Sequence, residues 1–186
     1  MKARLVLAVA ITAAWSSTSP AQRLGRAVVP EHYDIHLSPD FSTDTFAGEV
    51  TLRVRVAQPV RSITLNAAEI EFQTVTVTAA GKRQTATVAL DRSAETATFT
   101  VPDAIPAEAA TIAIRYTGTL NDKLRGFYLS EANGREYAIT QLEATDARRA
   151  FPSFDEPSMK ATFAVSATID ARDTAISNGR LLSDNP

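Results

Sequence analysis

Val50-Thr51-Leu52-Arg53-Val54-Arg55-Val56 alternates apolar and polar side chains without a break. That period-two pattern describes a β-strand with one face on a core and the other in water. The same alternation recurs outward in both directions, at Ile63/Leu65, Val75/Val77, Val88/Leu90, Phe99/Val101, Ile112/Ile114/Tyr116, Tyr137/Ile139 and Phe163/Val165/Ala167/Ile169. Turn-forming residues separate most of these runs, so the strands are expected to be half-buried and mostly antiparallel. Between Ile70/Phe72 and Val75/Val77 the parity slips by one residue, which predicts a bulge or loop near Gln73-Thr74. Asn133-Gly134 tolerates positive φ and separates Gly126–Glu131 from Glu136–Gln141, which predicts a tight hairpin. Helical signal is confined to a turn or two over Ala144–Arg149, because Pro152 and Pro157 stop anything longer. The fold class that follows is all-β: an antiparallel β sandwich or saddle-like sheet with at most one short helical turn.

Composition narrows the function classes. The 186 residues are 45% hydrophobic and 22% charged, as in a folded globular chain. Cysteine is absent, which excludes disulfides, thiolate metal sites and a cysteine nucleophile. The formal net charge is -2 and no long basic block occurs, so nothing draws the chain to nucleic acid or to an anionic membrane. At the N-terminus, Lys2 and Arg4 precede an uncharged apolar run from Leu5 to Trp15, and Ser19-Pro20-Ala21 supplies small residues at a cleavage spacing. This three-part pattern predicts a signal peptide over 1–21, cleavage after Ala21, and a secreted or periplasmic domain over 22–186 with no membrane span once the signal is removed. An uncleaved anchoring segment is the alternative. The chain ends just past the Asn178-Gly179 turn signal without a closing strand, so the domain is expected to be incomplete at its C-terminal end.

Familiar catalytic patterns are missing. His32 and His36 are four residues apart, but no glutamate follows the first, and the segment reads as a strand rather than a zinc helix. No G-x-S-x-G occurs, and the glycines form no phosphate-binding loop. The most unusual stretch leaves a strand at Gln141 and continues Leu142-Glu143-Ala144-Thr145-Asp146-Ala147-Arg148-Arg149-Ala150-Phe151-Pro152-Ser153-Phe154-Asp155-Glu156-Pro157. Acids, arginines, aromatics and prolines in one short connection are costly to organise unless the side chains pair with one another. Two readings fit. In one, Asp146, Arg148, Asp155 and Glu156 form ion pairs and caps while Phe151 and Phe154 plug the sandwich; in the other, the connection is a binding site.

From Gln141 to Phe163 the sequence resembles the pattern Q-F-E-x-T-D-A-R-x-x-F-P-C-F-D-E-P-x-x-K-A-x-F of the zinc aminopeptidase family that includes aminopeptidase N and leukotriene hydrolase. Leu142 replaces the common Phe and Ser153 the common Cys. Val29-Pro30-Glu31-His32-Tyr33-Asp34-Ile35 resembles the family's opening strand, Phe46-Ala47-Gly48-Glu49-Val50 the next one, and Ala175-Ile176-Ser177-Asn178-Gly179 a later strand and turn, in the same order along the chain. The resemblance implies an N-terminal β domain that closes one side of an active site whose zinc lies in a separate catalytic domain. It implies that Gln141 shapes the pocket for the first substrate side chain and that Glu143 holds the free α-ammonium of a peptide. The chemistry is reasonable, since a carboxylate at a strand end accepts charge-assisted hydrogen bonds from an ammonium, and an amide next but one along the strand points to the same face and both donates and accepts. The family's exopeptidase loop, zinc helix and catalytic tyrosine have no counterpart in these 186 residues, so no catalytic residue, metal ligand or cofactor falls within the chain. Two functions are therefore expected. In the first, the chain is part of an exported zinc metallo-aminopeptidase, with a catalytic zinc domain and a peptide bearing a free N-terminus as its partners. In the second, it is a freestanding β binding or interaction module.

Overall fold

The computed structural model describes residues 23–185, so the expected signal over 1–21 lies outside the described residues. Eleven strands and one helical turn form among them, in the order β1 (Val28–Asp40), β2 (Thr45–Val56), β3 (Val60–Asn66), β4 (Ile70–Ala79), β5 (Lys82–Thr85), β6 (Thr87–Asp91), β7 (Thr96–Ile105), β8 (Ala109–Thr119), β9 (Gly126–Ala132), β10 (Arg135–Gln141), α1 (Ala147–Ala150) and β11 (Thr162–Ala167). A six-stranded sheet runs β11-β1-β2-β8-β4-β5, a three-stranded sheet runs β3-β7-β6, and β9-β10 form a separate hairpin. The all-β expectation holds. Among the described residues no helix is long and apolar enough to cross a membrane.

Alternation in β2 does what its pattern requires. Val50, Leu52, Val54 and Val56 are at most 2% exposed, while Arg53 and Arg55 point to solvent. Full burial of side chains of this size contributes about 1.5–3 kcal/mol each, so this one strand supplies a large share of the driving force for the sheet. Ile112, Ile114 and Tyr116 of β8 and Val75 and Val77 of β4 continue the same apolar layer. Ile63, Leu65, Phe99 and Val101 of the three-stranded sheet close it from the other side, with the Phe72 and Phe99 rings edge to face at 5.4 Å. The expected bulge is present, since the β4–β8 register shifts between Phe72 and Thr74. The hairpin turn is also as read: Ala132 pairs with Arg135, and Asn133 and Gly134 take φ of 54° and 69°.

Four features depart from the sequence reading. Helix α1 starts three residues later than the expected window, because Glu143–Asp146 are spent on a turn closed by the Asp146 N–H to the Leu142 carbonyl at 3.0 Å. β1 and β11 pair in parallel, which the long connection between them allows and a hairpin could not. Ala175–Gly179 forms no strand, for it makes no ladder with any sheet and Ile176 stays 93% exposed. Finally, Tyr137, Ile139, Phe163 and Val165 alternate correctly yet remain exposed, because β10 and β11 lie at sheet edges that the second layer does not reach.

Candidate functional site

Residues 141–157 form a corner between the hairpin and the six-stranded sheet. Its aromatic residues are plugs: Phe151 and Phe154 are buried, and Tyr33 lies edge to face with Phe151 at 6.2 Å. Two buried tyrosines then fasten the backbone. The Tyr116 hydroxyl of β8 donates to the Ala150 carbonyl at 2.8 Å, and the Phe154 N–H donates to the Tyr33 hydroxyl at 3.0 Å. Asn66 at the end of β3 exchanges backbone hydrogen bonds with Ser153 (2.8 and 3.0 Å), and its side-chain oxygen accepts from the Asp155 N–H at 3.2 Å. A connection with few regular hydrogen bonds of its own is thus tied through its backbone to three strands of the body, while the buried Ser153 hydroxyl is left without a protein partner among the described residues.

Charge completes the corner. Arg148 donates from Nε to Asp155 at 2.9 Å and from Nη1 to Glu95 at 3.3 Å. Arg149 has a side chain only 9% exposed, and it meets Asp146 through Nε at 2.8 Å, Glu69 through Nη1 at 2.8 Å and Glu95 through Nη2. Burial works to lower the pKa of this guanidinium. The hydrogen bond to Asp146 and the charges of Glu69 and Glu95 outweigh it and hold the group above the ordinary arginine range. A planar fork with several donors is the side chain that can serve three carboxylates at once; a lysine could not. The pairing and plugging expected of Asp146, Arg148, Asp155, Phe151 and Phe154 is present, and Glu156 accepts the Leu24 N–H. Arg149, with Glu69 and Glu95, was not foreseen. The doubled arginine before buried Ala150 and Phe151 was the available cue for Arg149. The two glutamates had none, since each acts from a distant turn.

Gln141 and Glu143 lie on the outer side of this corner. Gln141 is the last residue of β10 and pairs with Gly126 of β9. Glu143 falls past the strand end, in the turn, so the two are not alternate residues of one strand. They are brought together by a hydrogen bond from the Glu143 N–H to the Gln141 Oε1 at 3.3 Å. The Glu143–Ala144 peptide bond is cis. Both residues are exposed, and among the described residues the Glu143 carboxylate makes no ion pair. Beside them lies a groove of about 290 Å³ lined by Ala144, Phe151, Phe154, Met159, Phe163 and neighbouring residues, with neither Gln141 nor Glu143 in its wall. The arrangement presents one carboxylate and one amide on an open edge. The carboxylate can accept hydrogen bonds from a cation, and the amide can both donate and accept.

The histidines are engaged elsewhere. His32 Nδ1 lies 2.6 Å from the Thr162 hydroxyl and Nε2 lies 3.1 Å from Asp34, while His36 Nδ1 lies 2.9 Å from the Ser166 hydroxyl. They tie β1 to β11. Among the described residues no group of three His, Asp or Glu side chains is placed to hold a metal ion, so the residues present do not fit a zinc site.

Residues 29–185 match the family model described as the Peptidase M1 N-terminal domain, and the chain belongs to that family. It is 34% identical over 166 residues to Aminopeptidase M1-D of Oryza sativa subsp. japonica, covering 87% of this chain and 19% of the relative. It is 39% identical over 156 residues to Aminopeptidase 2 of Candida albicans, covering 81% and 17% respectively. With Probable M1 family aminopeptidase 1 of Encephalitozoon cuniculi it shares 35% identity over 164 residues, 87% of this chain and 19% of the relative. The chain spans about one fifth of the length of these relatives.

Proposed function

We propose that this domain forms the substrate N-terminus wall of an exported zinc metallo-aminopeptidase. Glu143 accepts hydrogen bonds from the free α-ammonium of a peptide, and Gln141 borders the pocket for its first side chain. The zinc and the groups that cleave the peptide bond belong to a catalytic domain outside the described residues, and no step of the reaction runs through this chain's own side chains. The observation that carries this reading is the exposed Glu143 carboxylate, without an ion pair among the described residues and hydrogen-bonded through its backbone to Gln141, at the edge of a corner whose other acids are nearly all paired. An acid left over from such a corner is available to a ligand.

The test is a chimaera in which this domain replaces the matching segment of Candida albicans Aminopeptidase 2. Loss of one charge-assisted contact in Glu143→Ala removes about 1.5–3 kcal/mol. That corresponds to a fall of about tenfold to a hundredfold or more in kcat/KM for peptides with a free N-terminus. Gln141→Ala should instead reorder preference among first residues. Normal kinetics with a lowered melting temperature for Glu143→Ala would reject the reading. Export is tested separately: the periplasmic or secreted form should begin at Gln22 by mass spectrometry, and retention of Met1 would contradict it.

A further inference from the structure

We infer that Arg149 is a positioning residue for Glu143: the three carboxylates gathered on its guanidinium fix the turn that presents Glu143. This rests on the reading of Glu143 given above. The turn from Leu142 to Asp146 is closed at its base by the Asp146 N–H to the Leu142 carbonyl. Ala144 and Thr145 are exposed, and among the described residues the one charged link from this turn to the body is Asp146 to Arg149 at 2.8 Å. Arg149 is itself held from two other directions, by Glu69 between β3 and β4 and by Glu95 between β6 and β7. A side chain fixed at three points defines a position; one fixed at a single point only limits a distance.

Two further observations make this more than a stabilising cluster. Glu69 and Glu95 both adopt positive φ, 58° and 51°, which L side chains rarely do. Asp44, Ala80, Leu124 and Asn133 share that backbone form, so it marks tight turns here; what is particular to Glu69 and Glu95 is that two unrelated turns each deliver a carboxylate to the same arginine. Arg149 also sets the other end of the site. Gly126, the strand partner of Gln141, has φ +69°, and a Cβ placed there would lie 2.6 Å from the Arg149 Cβ. The stem of Arg149 therefore rests against the residue that registers Gln141, while its head group holds the turn that carries Glu143. One side chain spaces the two proposed substrate contacts.

Asp146→Ala removes the acceptor, cuts the link and leaves Arg149 with Glu69 and Glu95; Asp146→Glu keeps the charge. In the full chain, residue-resolved amide hydrogen exchange should accelerate about tenfold or more at Glu143 and position 146 in Asp146→Ala, with β2 and β8 amides changed by less than about twofold. Asp146→Glu should stay close to the parent. In the chimaera, Asp146→Ala should lower kcat/KM for free N-termini by about threefold to tenfold, and Asp146→Glu should recover to within about twofold of the parent. Unchanged exchange in the turn, or equal acceleration throughout the sheet, overturns the inference. The two readings fail separately. If Glu143→Ala leaves the kinetics intact, the substrate-contact role is wrong. If Glu143→Ala is damaging while Asp146→Ala alters neither exchange nor kinetics, the positioning role of Arg149 is wrong.

Discussion

Gly48→Ala would reach the candidate site from the middle of the six-stranded sheet. Gly48 in β2 pairs with Tyr116 in β8, and the tyrosine ring lies over the glycine. A Cβ at position 48 would sit 2.5 Å from the Tyr116 hydroxyl, closer than any real Cβ contact, so the ring must move. Tyr116 is 1% exposed and packed within the hydrophobic core. Forcing extra volume into a packed core costs about 1–3 kcal/mol. Displacing the hydroxyl also breaks its bond to the Ala150 carbonyl, which lies in a fully buried residue, and a buried acceptor without a partner costs about 1–3 kcal/mol more. Replacing a strand glycine returns about 0.5–1 kcal/mol. The balance is a loss of about 1–5 kcal/mol, against about 1–3 kcal/mol for Tyr116→Phe alone. Urea unfolding at constant m-value measures both, and the double variant supplies the decisive comparison. With the hydroxyl already displaced in Gly48→Ala, a further Tyr116→Phe should cost less than about 0.5 kcal/mol. A cost below about 1 kcal/mol for Gly48→Ala, or an equal cost of Tyr116→Phe in both backgrounds, would refute the reasoning.

Two pH responses follow from the side chains around the sheet and beyond it. Burial pushes the Tyr33 hydroxyl up from 10.0 to about 12, against the Phe154 N–H bond that lowers it and with Asp155 adding to the rise. A raised phenol favours the neutral form in the folded state, so its contribution is complete below pH 10 and disappears as pH rises through about 12. Tyr116 is raised by burial as well, and stability measured by circular dichroism should fall along this alkaline limb, less steeply in Tyr33→Phe. At the other extreme, hydrogen bonds from the Arg172 side chain (2.9 and 3.1 Å) and backbone hold Asp170 down to about 2. Its carboxyl should stay ionised until pH falls to about 2, and Arg172→Ala should return the NMR titration midpoint toward the ordinary carboxylate value of 3.8. An unchanged midpoint in that variant would show that the pair does not form.

Much of the fold could be read directly, because its information is local. Alternation in β2 and β8, the parity slip at Gln73-Thr74 and the Asn133-Gly134 turn each depend on neighbours within a few residues, and each is found in the structure. The exposed flanks were the opposite case. Phe163 and Val165 carry the pattern of buried strand residues, and the pattern cannot tell whether a second layer covers them. Phe163 settles for stacking on Tyr33 at 4.9 Å.

The candidate site divides in the same way. Its members Gln141 and Glu143, the plugs Phe151 and Phe154, and the pairing of Arg148 with Asp155 lie within one short stretch, so residue order alone brought them together. By itself the sequence determined a period-two, all-β chain with a mixed, self-pairing corner, since strand faces and near-neighbour charges are consequences of spacing. Only the tertiary structure decided that Glu143 leaves the strand at a turn, and that Arg149 gathers Glu69 and Glu95 from connections 80 and 54 residues away. Only it set Tyr33 and Tyr116 beneath the corner. The physical reason is that a buried guanidinium or hydroxyl must find partners wherever the folded chain supplies them. Those partners are chosen by proximity in space, which no local pattern records.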